Sequence, residues 1–370
     1  MSTCVPHASL AAQYRGLLTR LSPQRFYLFV EGQAAEPEAV AELRSLEGIR
    51  VFLRTPALEE SHRNSRIWNE KWLAFYFDKP CNYELFVRQN LNLETAIATA
   101  LAEGGIGWIA HIDTDELLYP AGATDFSLRT LLAAVPANFD ALIFPNYETA
   151  VERDDVEDPF TQVTLFKRNF DHVVREVYFG RYKEMTRSNP NYFLTYGNGK
   201  AAARLVPGLR PNGAHRFHNY VRAPREGKAT EAAVLHYTYA RFEDVRARRG
   251  RCNCGLSDEE VEQCFILEFD RWAFRKASNE LDDKKLRDWY RQRVVWTDVR
   301  SPLLLPACLL QVLTCAIADH LRARPAVQRA VCAHPRAFPA GVGAGRRSRT
   351  GGGCHEGAAT RSLTRAVLKR

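Results

Sequence analysis

Between His111 and Pro120 the chain reads HIDTDELLYP, which sets Asp113, Asp115 and Glu116 at the end of an apolar run. Side chains two apart in a strand share a face, so Asp113 and Asp115 converge if strand geometry persists to this point. Two carboxylates a few ångströms apart raise one another's pKa unless a cation lies between them. Oxygen ligands suit Mg2+ or Mn2+, which keep water and accept substrate phosphates as well as protein carboxylates. The chemistry predicted for the stretch is a metal–diphosphate site, and the plain alternative is a solvated surface turn.

The elements that must carry these acids follow from periodicity. An amphipathic helix is expected over 8–21, with Leu10, Tyr14, Leu17, Leu18 and Leu21 on one face, followed by a buried strand in RFYLFVEG. EPEAVAELRSLEG repeats a helix with a glycine stop, and IRVFLRT repeats a strand. NLETAIATALAEGG predicts a third helix, and IGWIAHID, from Ile106 to Asp113, the strand after it. Alternation of this kind argues for parallel βαβ units, whose ligands bind outside the carboxyl ends of the strands. From Ala141 onward, ALIFPNYE, QVTLFKRN, YFLTYGNGKAAARLV and EAAVLHYTYARF read as strands extending the same sheet. Two more helices are expected. One starts at Ser257 with Glu260 at capping-box spacing and runs on through RKA, and the other lies in NELDDKKLRDWYRQRV.

Three other clusters carry polar chemistry. YGNGKAAARL places Asn198 between two glycines and ahead of Lys200, a group suited to contacting phosphate; an Asn-Gly hairpin with an exposed lysine fits equally well. In GAHRFHNY, His215 and His218 are three apart in a strand-like context and face opposite ways, which disfavours a shared metal. His236 in VLHYTY reads, on spacing alone, as a half-buried strand histidine.

Composition limits the partners. The chain has 370 residues and a formal charge of +8. Eight Lys/Arg against Glu356 alone place +7 of that charge in 335–370, so the folded body is near neutral and nucleic acid is excluded as its partner. Nine cysteines lack the dense spacing of a small disulfide framework and form no CxxC pair, so thiols are expected rather than a zinc site. The apolar run from Pro302 to Ala318 is shorter than the ~20 residues of a spanning helix, and a packed or interfacial helix is expected over 301–333. The Arg/Gly/Ala-rich sequence of 334–370 lacks a periodic apolar face and reads as a disordered tail.

WIAHIDTDELLYP resembles the DxD segment of GT-A glycosyltransferases, in particular the family 2-like and family 92-like group. FPNYE, FKRN, GNGKAAARL, GAHRF and LHYTY are similar to that group in order and spacing, so the likeness spans roughly Ala8 to Cys252. It implies an α/β, Rossmann-like nucleotide-diphospho-sugar transferase domain over 1–300, with a mixed sheet and flanking helices. It further implies a Mn2+- or Mg2+-dependent enzyme moving a sugar from a nucleotide-sugar donor to a hydroxyl of a glycan or glycoconjugate. Asp113 and Asp115 then take the DxD positions, His236 is the matching late metal ligand, and Arg88, Asn198 and Lys200 are donor contacts. Inversion needs a carboxylate base near the acceptor, for which Glu148 is the first candidate and Asp155, with Asp158, the rival. Domains of this group begin with a strand ahead of the first helix, where only MSTCV stands here, so the expectation is either a longer protein with a fuller first strand and an N-terminal Golgi membrane anchor or an incomplete nucleotide pocket. A catalytically inactive binding relative and a haloacid-dehalogenase-like phosphohydrolase are the competing readings.

Overall fold

The computed structural model describes residues 2–3, 25–123, 125–167, 199–295 and 310–312. All of them belong to one unit of the chain, Met1–Ala323. The expected helix at 8–21 and the basic tail at 334–370 lie outside the described residues.

A parallel three-stranded sheet opens the fold, in the order β1 (Ser2–Thr3), β2 (Phe26–Val30), β3 (Ile49–Leu53). Its central strand is buried on both sides: Leu28 and Val30 join one apolar cluster while Phe29, between them, joins another. Double-sided burial is what a parallel sheet requires, and it explains the unbroken apolar run FYLFV. Helix α1 (Pro37–Ser45) begins with proline at its first position and buries Ala39, Val40 and Leu43. Helix α2 (Pro56–Arg63) follows β3 and is capped by Thr55, whose hydroxyl accepts from Leu58 N.

Helix α3 (Asn82–Glu103) has 22 residues, about 33 Å of rise, and stops at Gly104 with φ +68°. Leu93, Ala96 and Ile97 pack with Ile109 of β4 (Trp108–Ala110), so Gln89, one turn earlier on that face, is carried to the strand end. After β5 (Glu116–Tyr119) comes α4 (Leu128–Ala133). Pro145 has no N–H for a ladder, and it divides the expected strand ALIFPNYE into β6 (Ala141–Phe144) and β7 (Asn146–Glu148), which enter different sheets. Strands β8 (Leu165–Lys167), β9 (Lys200–Arg204), β10 (Leu209–Asn212), β11 (Arg216–Asn219), β12 (Glu226–Lys228) and β13 (Ala233–His236) complete this part.

Two mixed sheets result, β12-β6-β9-β4 and β5-β13-β7, beside the β10–β11 hairpin. In the three-stranded one, β13 runs antiparallel to β5 and parallel to β7, so His236 lies opposite Glu116 on one side and Glu148 on the other.

The rest of the described chain is helical: α5 (Phe242–Arg246), α6 (Asp258–Cys264), α7 (Glu268–Asn279) and α8 (Asp283–Arg293). The capping box at Ser257 and Glu260 forms as expected, but the single helix expected after it breaks at Phe265. There Arg271 takes the freed carbonyls of Phe265 and Ile266. Cysteines expected to be free thiols are instead paired, Cys81 with Cys252 and Cys254 with Cys264. The first bridge spans 171 residues and ties the start of α3 to the helical region, a pairing that no sequence spacing shows. Of the apolar segment expected to be helical, the described piece is a strand, β14 (Leu310–Val312), antiparallel to β8. A short apolar run carries no period that separates the two states, and β8 offers it an open edge. No helix among the described residues is long and apolar enough to cross a membrane.

Candidate active site at the end of the DxD strand

Strand β4 stops at Ala110, three residues before Asp113, so the two-residue alternation that would align Asp113 with Asp115 is already broken. Each aspartate has its own cationic partner. Asp113 accepts from Gln89 Nε2 at 2.7 Å and from Lys200 Nζ at 2.7 Å, one bond on each carboxylate oxygen. Asp115 Oδ2 instead faces His236 Nε2 at 3.4 Å.

Lys200 is the residue furthest from expectation. Its side chain is 1% exposed, neither open to a phosphate nor on a hairpin surface. The ammonium donates to Asp113 and to Ala214 O at 3.1 Å, and it lies 3.4 Å from Glu116 Oε2. A buried ammonium is tolerated only with such acceptors around it. Gly199 makes the approach feasible: at φ +61°, an added Cβ would stand 1.9 Å from Phe144 O. Asn198, the other half of that expected phosphate group, lies outside the described residues.

The charges are strongly coupled. Burial works to raise the pKa of Asp113, yet the Lys200 ammonium beside it outweighs burial and holds the carboxyl well below the usual range. Glu116, whose Oε2 accepts from Asp113 N at 2.7 Å, is pushed up to about 7 by burial, against the pull of Lys200. Burial and the same ammonium keep His111 neutral, with a pKa lowered to about 3, and His215 neutral at about 4. These histidines hold the backbone: His111 Nδ1 pairs with Ala214 O at 3.0 Å and His215 Nδ1 with Gly199 O at 2.7 Å.

His236 organises the second half of the site. Its Nδ1 is 2.9 Å from Glu148 Oε1, and Asn146 Nδ2 donates to that same oxygen at 2.8 Å. Burial opposes a charge on the imidazole, but Glu148 and Asp115 together raise its pKa well above the ordinary histidine value. Glu148, at 3% exposure, is sealed against the sheet, so it orients a neighbour and has no opening toward an acceptor hydroxyl. Asp155 is 71% exposed on a loop, where its carboxylate is held by Arg153. The structure therefore does not bring Glu148 and Asp155 together as rival bases.

Among the described residues no three His, Cys, Asp or Glu side chains cluster as a complete metal shell. The donor set nonetheless fits an ion that takes its other ligands from substrate. Asp115 is 49% exposed and faces an imidazole nitrogen, and Mg2+-like ions use one or two protein ligands plus phosphates. Asp113 fits less well, because both its oxygens already accept protein donors.

Arg88 lies on α3 where that helix borders a cleft of about 210 Å³ at the carboxyl ends of β2 and β3. It pairs with Glu31 at 3.2 Å and with Glu84, and Glu31 also meets Arg54 at 3.4 Å. The floor is aromatic, with Phe29 and Phe52 stacked at 4.6 Å and Trp68 and Phe77 at 4.1 Å. Sequence reading missed Gln89, Asn146 and the Ala214 carbonyl as parts of the site. Only Gln89 carried a signal, since it shares the helix face of Leu93 and Ile97.

No family model matches the chain. The chain is 57% identical over 280 residues, 76% of its length, to Glycosyltransferase-like At3g57200 of Arabidopsis thaliana. It is 56% identical over 275 residues, 74% of its length, to Glycosyltransferase-like At2g41451 of the same plant. These matches cover 54% and 60% of the two relatives, so the chain spans little more than half the length of the proteins it resembles. The chain thus joins a mixed α/β fold, compatible with a Rossmann-like architecture, to a likeness with two proteins named glycosyltransferase-like.

Proposed function

We propose that the chain is a GT-A glycosyltransferase domain of the family 2-like or family 92-like group, moving a sugar from a nucleotide-sugar donor to a hydroxyl of a glycan or glycoconjugate. The observation that carries this reading is the approach of the half-exposed Asp115 to His236 Nε2, at the carboxyl end of β13 in the mixed sheet β5-β13-β7. Asp115 and His236 would hold Mn2+ or Mg2+ with the donor's phosphates. An ion in that position supplies Lewis-acid stabilisation to the departing nucleoside diphosphate.

The chain's own residues do the rest. Arg88 and Glu31 line the aromatic cleft, which fits a nucleoside: a flat base against the rings, with the paired charges meeting its polar edge. Lys200 and Gln89 fix Asp113 in its ionised form as a rigid acceptor for a donor hydroxyl. Because Glu148 is sealed, the acceptor's proton passes in this reading to a carboxylate open to solvent, and Asp155 is the open one of the two. Two disulfides support maturation in an oxidising compartment such as the Golgi lumen.

A panel of nucleotide sugars incubated with the chain and Mn2+ tests the reading. Release of UDP or GDP that falls at least about a hundredfold in Asp115→Asn is the expected result. Phosphate release from simple monoesters, or silence from a folded chain across the panel, refutes it.

A further inference from the structure

The Glu148 carboxylate has a place in the site that its burial defines. It sits on β7, separated by β13 from the strand that follows Asp115, and meets the site through His236. Its Oε1 is an acceptor here, since Asn146 Nδ2 donates to that oxygen. The imidazole nitrogen facing it, Nδ1, must therefore carry a proton. Thr238 Oγ1 lies 2.9 Å from Nδ1 and 2.7 Å from Nε2, but a hydroxyl donates or accepts and so leaves the choice of nitrogen open. Asn146, donating to Glu148 Oε1 at 2.8 Å, fixes the carboxylate itself. Strand register fixes all three, because His236 pairs directly with Glu148 across β13 and β7.

We infer that Glu148 is a positioning residue that holds the proton of His236 on Nδ1, so that an ion shared with Asp115 takes the place of the second ring proton at Nε2, which is released to solvent. This rests on the metal reading proposed above and deepens it: a carboxylate behind the imidazole sets the ring's orientation and makes the ligand nitrogen more basic. The same arrangement gives Glu148 a role that touches neither donor nor acceptor.

Mn2+ binding, followed by the loss of the free-ion electron paramagnetic resonance signal with saturating UDP or GDP present, reads this without any turnover. Asp115→Asn and His236→Ala mark the response to a lost ligand. Glu148→Leu, which removes the acceptor, is expected to weaken Mn2+ binding by about 10- to 100-fold. Glu148→Gln keeps an oxygen able to accept from Nδ1 and is expected to stay within about fivefold of the unaltered chain. Should Glu148→Leu fail to fold by circular dichroism, Asn146→Leu, which unfastens Glu148 and leaves His236 intact, is expected to weaken binding several-fold. Unchanged affinity in folded Glu148→Leu, or in Asn146→Leu when it is the variant used, overturns the inference while the metal reading stands. Equal weakening by Leu and Gln also overturns it, in favour of charge alone. If the unaltered chain binds no Mn2+, the metal reading fails and takes the inference with it.

Discussion

Replacing Lys200 with methionine keeps the buried stem and removes the charge. In the folded chain this leaves the carboxylates of Asp113 and Glu116 together without the ammonium that lies 2.7 Å from one and 3.4 Å from the other. Removing one partner of a buried ion pair costs about 3–5 kcal/mol, because the stranded charge stays out of water. For a body of this size that is a fall in Tm of roughly 10 °C. The cost depends on pH in a definite direction. Burial already lifts Glu116 from the ordinary 4.5 to about 7, and Lys200 opposes that lift, so its loss raises the folded-state value further. A carboxyl whose folded pKa exceeds its unfolded one contributes stability that is fully present below the unfolded value and lost as pH rises through the folded one. Through Glu116, Lys200→Met should thus be least damaging up to about pH 7 and increasingly so above it, with a slope there approaching about 1.4 kcal/mol per pH unit relative to the unaltered chain. Urea denaturation at three pH values measures it, and adding Glu116→Gln should restore much of the loss and flatten the slope. A cost below about 1 kcal/mol, or one independent of pH, would show that the cluster is not governed by this ammonium.

Three further outcomes follow from local geometry. Gly199→Ala forces a Cβ to 1.9 Å from Phe144 O at a positive φ and should destabilise by more than about 2 kcal/mol in a denaturant titration; a neutral result would remove the close approach from the argument. Cys252→Ser opens the bridge closing 171 residues and should cost about 2–5 kcal/mol, while non-reducing peptide mapping of the unaltered chain should recover Cys81 linked to Cys252. Asp140 is held at a pKa of about 2 chiefly by Arg222, so its contribution is present above about pH 4 and lost as pH falls through 2; Asp140→Asn should make the acid limb of the stability curve shallower in that window.

Much of the α/β scaffold could be read from period alone. The strands of RFYLFVEG and IRVFLRT, the helix between them and the long helix ahead of Trp108 all form, because their apolar faces admit one burial pattern. Site geometry was less legible. Asp113 and Asp115 were expected to share a cation through strand alternation, but the strand ends before them and each meets a partner about 90 or more residues away. Lys200 looked like a surface or phosphate lysine because a glycine-flanked turn is usually exposed; only the tertiary contact at Phe144 turns it inward. Glu148 looked like a base because the residue type suits the task, and its burial is a property of the sheet. The disulfides were invisible for the same reason, as contacts that sequence separation hides.

The position of β13 between β5 and β7 means that one strand's alignment sets both acid–imidazole contacts at the same time. A slip of a single residue would turn His236 to the opposite side of the sheet and put Leu235 where the imidazole belongs. Such a misaligned chain would still be compact and would still bury apolar surface, yet it would have no working centre. Partial assembly has no intermediate payoff in this arrangement, so ligand capture by freshly refolded material would report whether three strands found their correct neighbours, something that bulk measures of collapse do not distinguish.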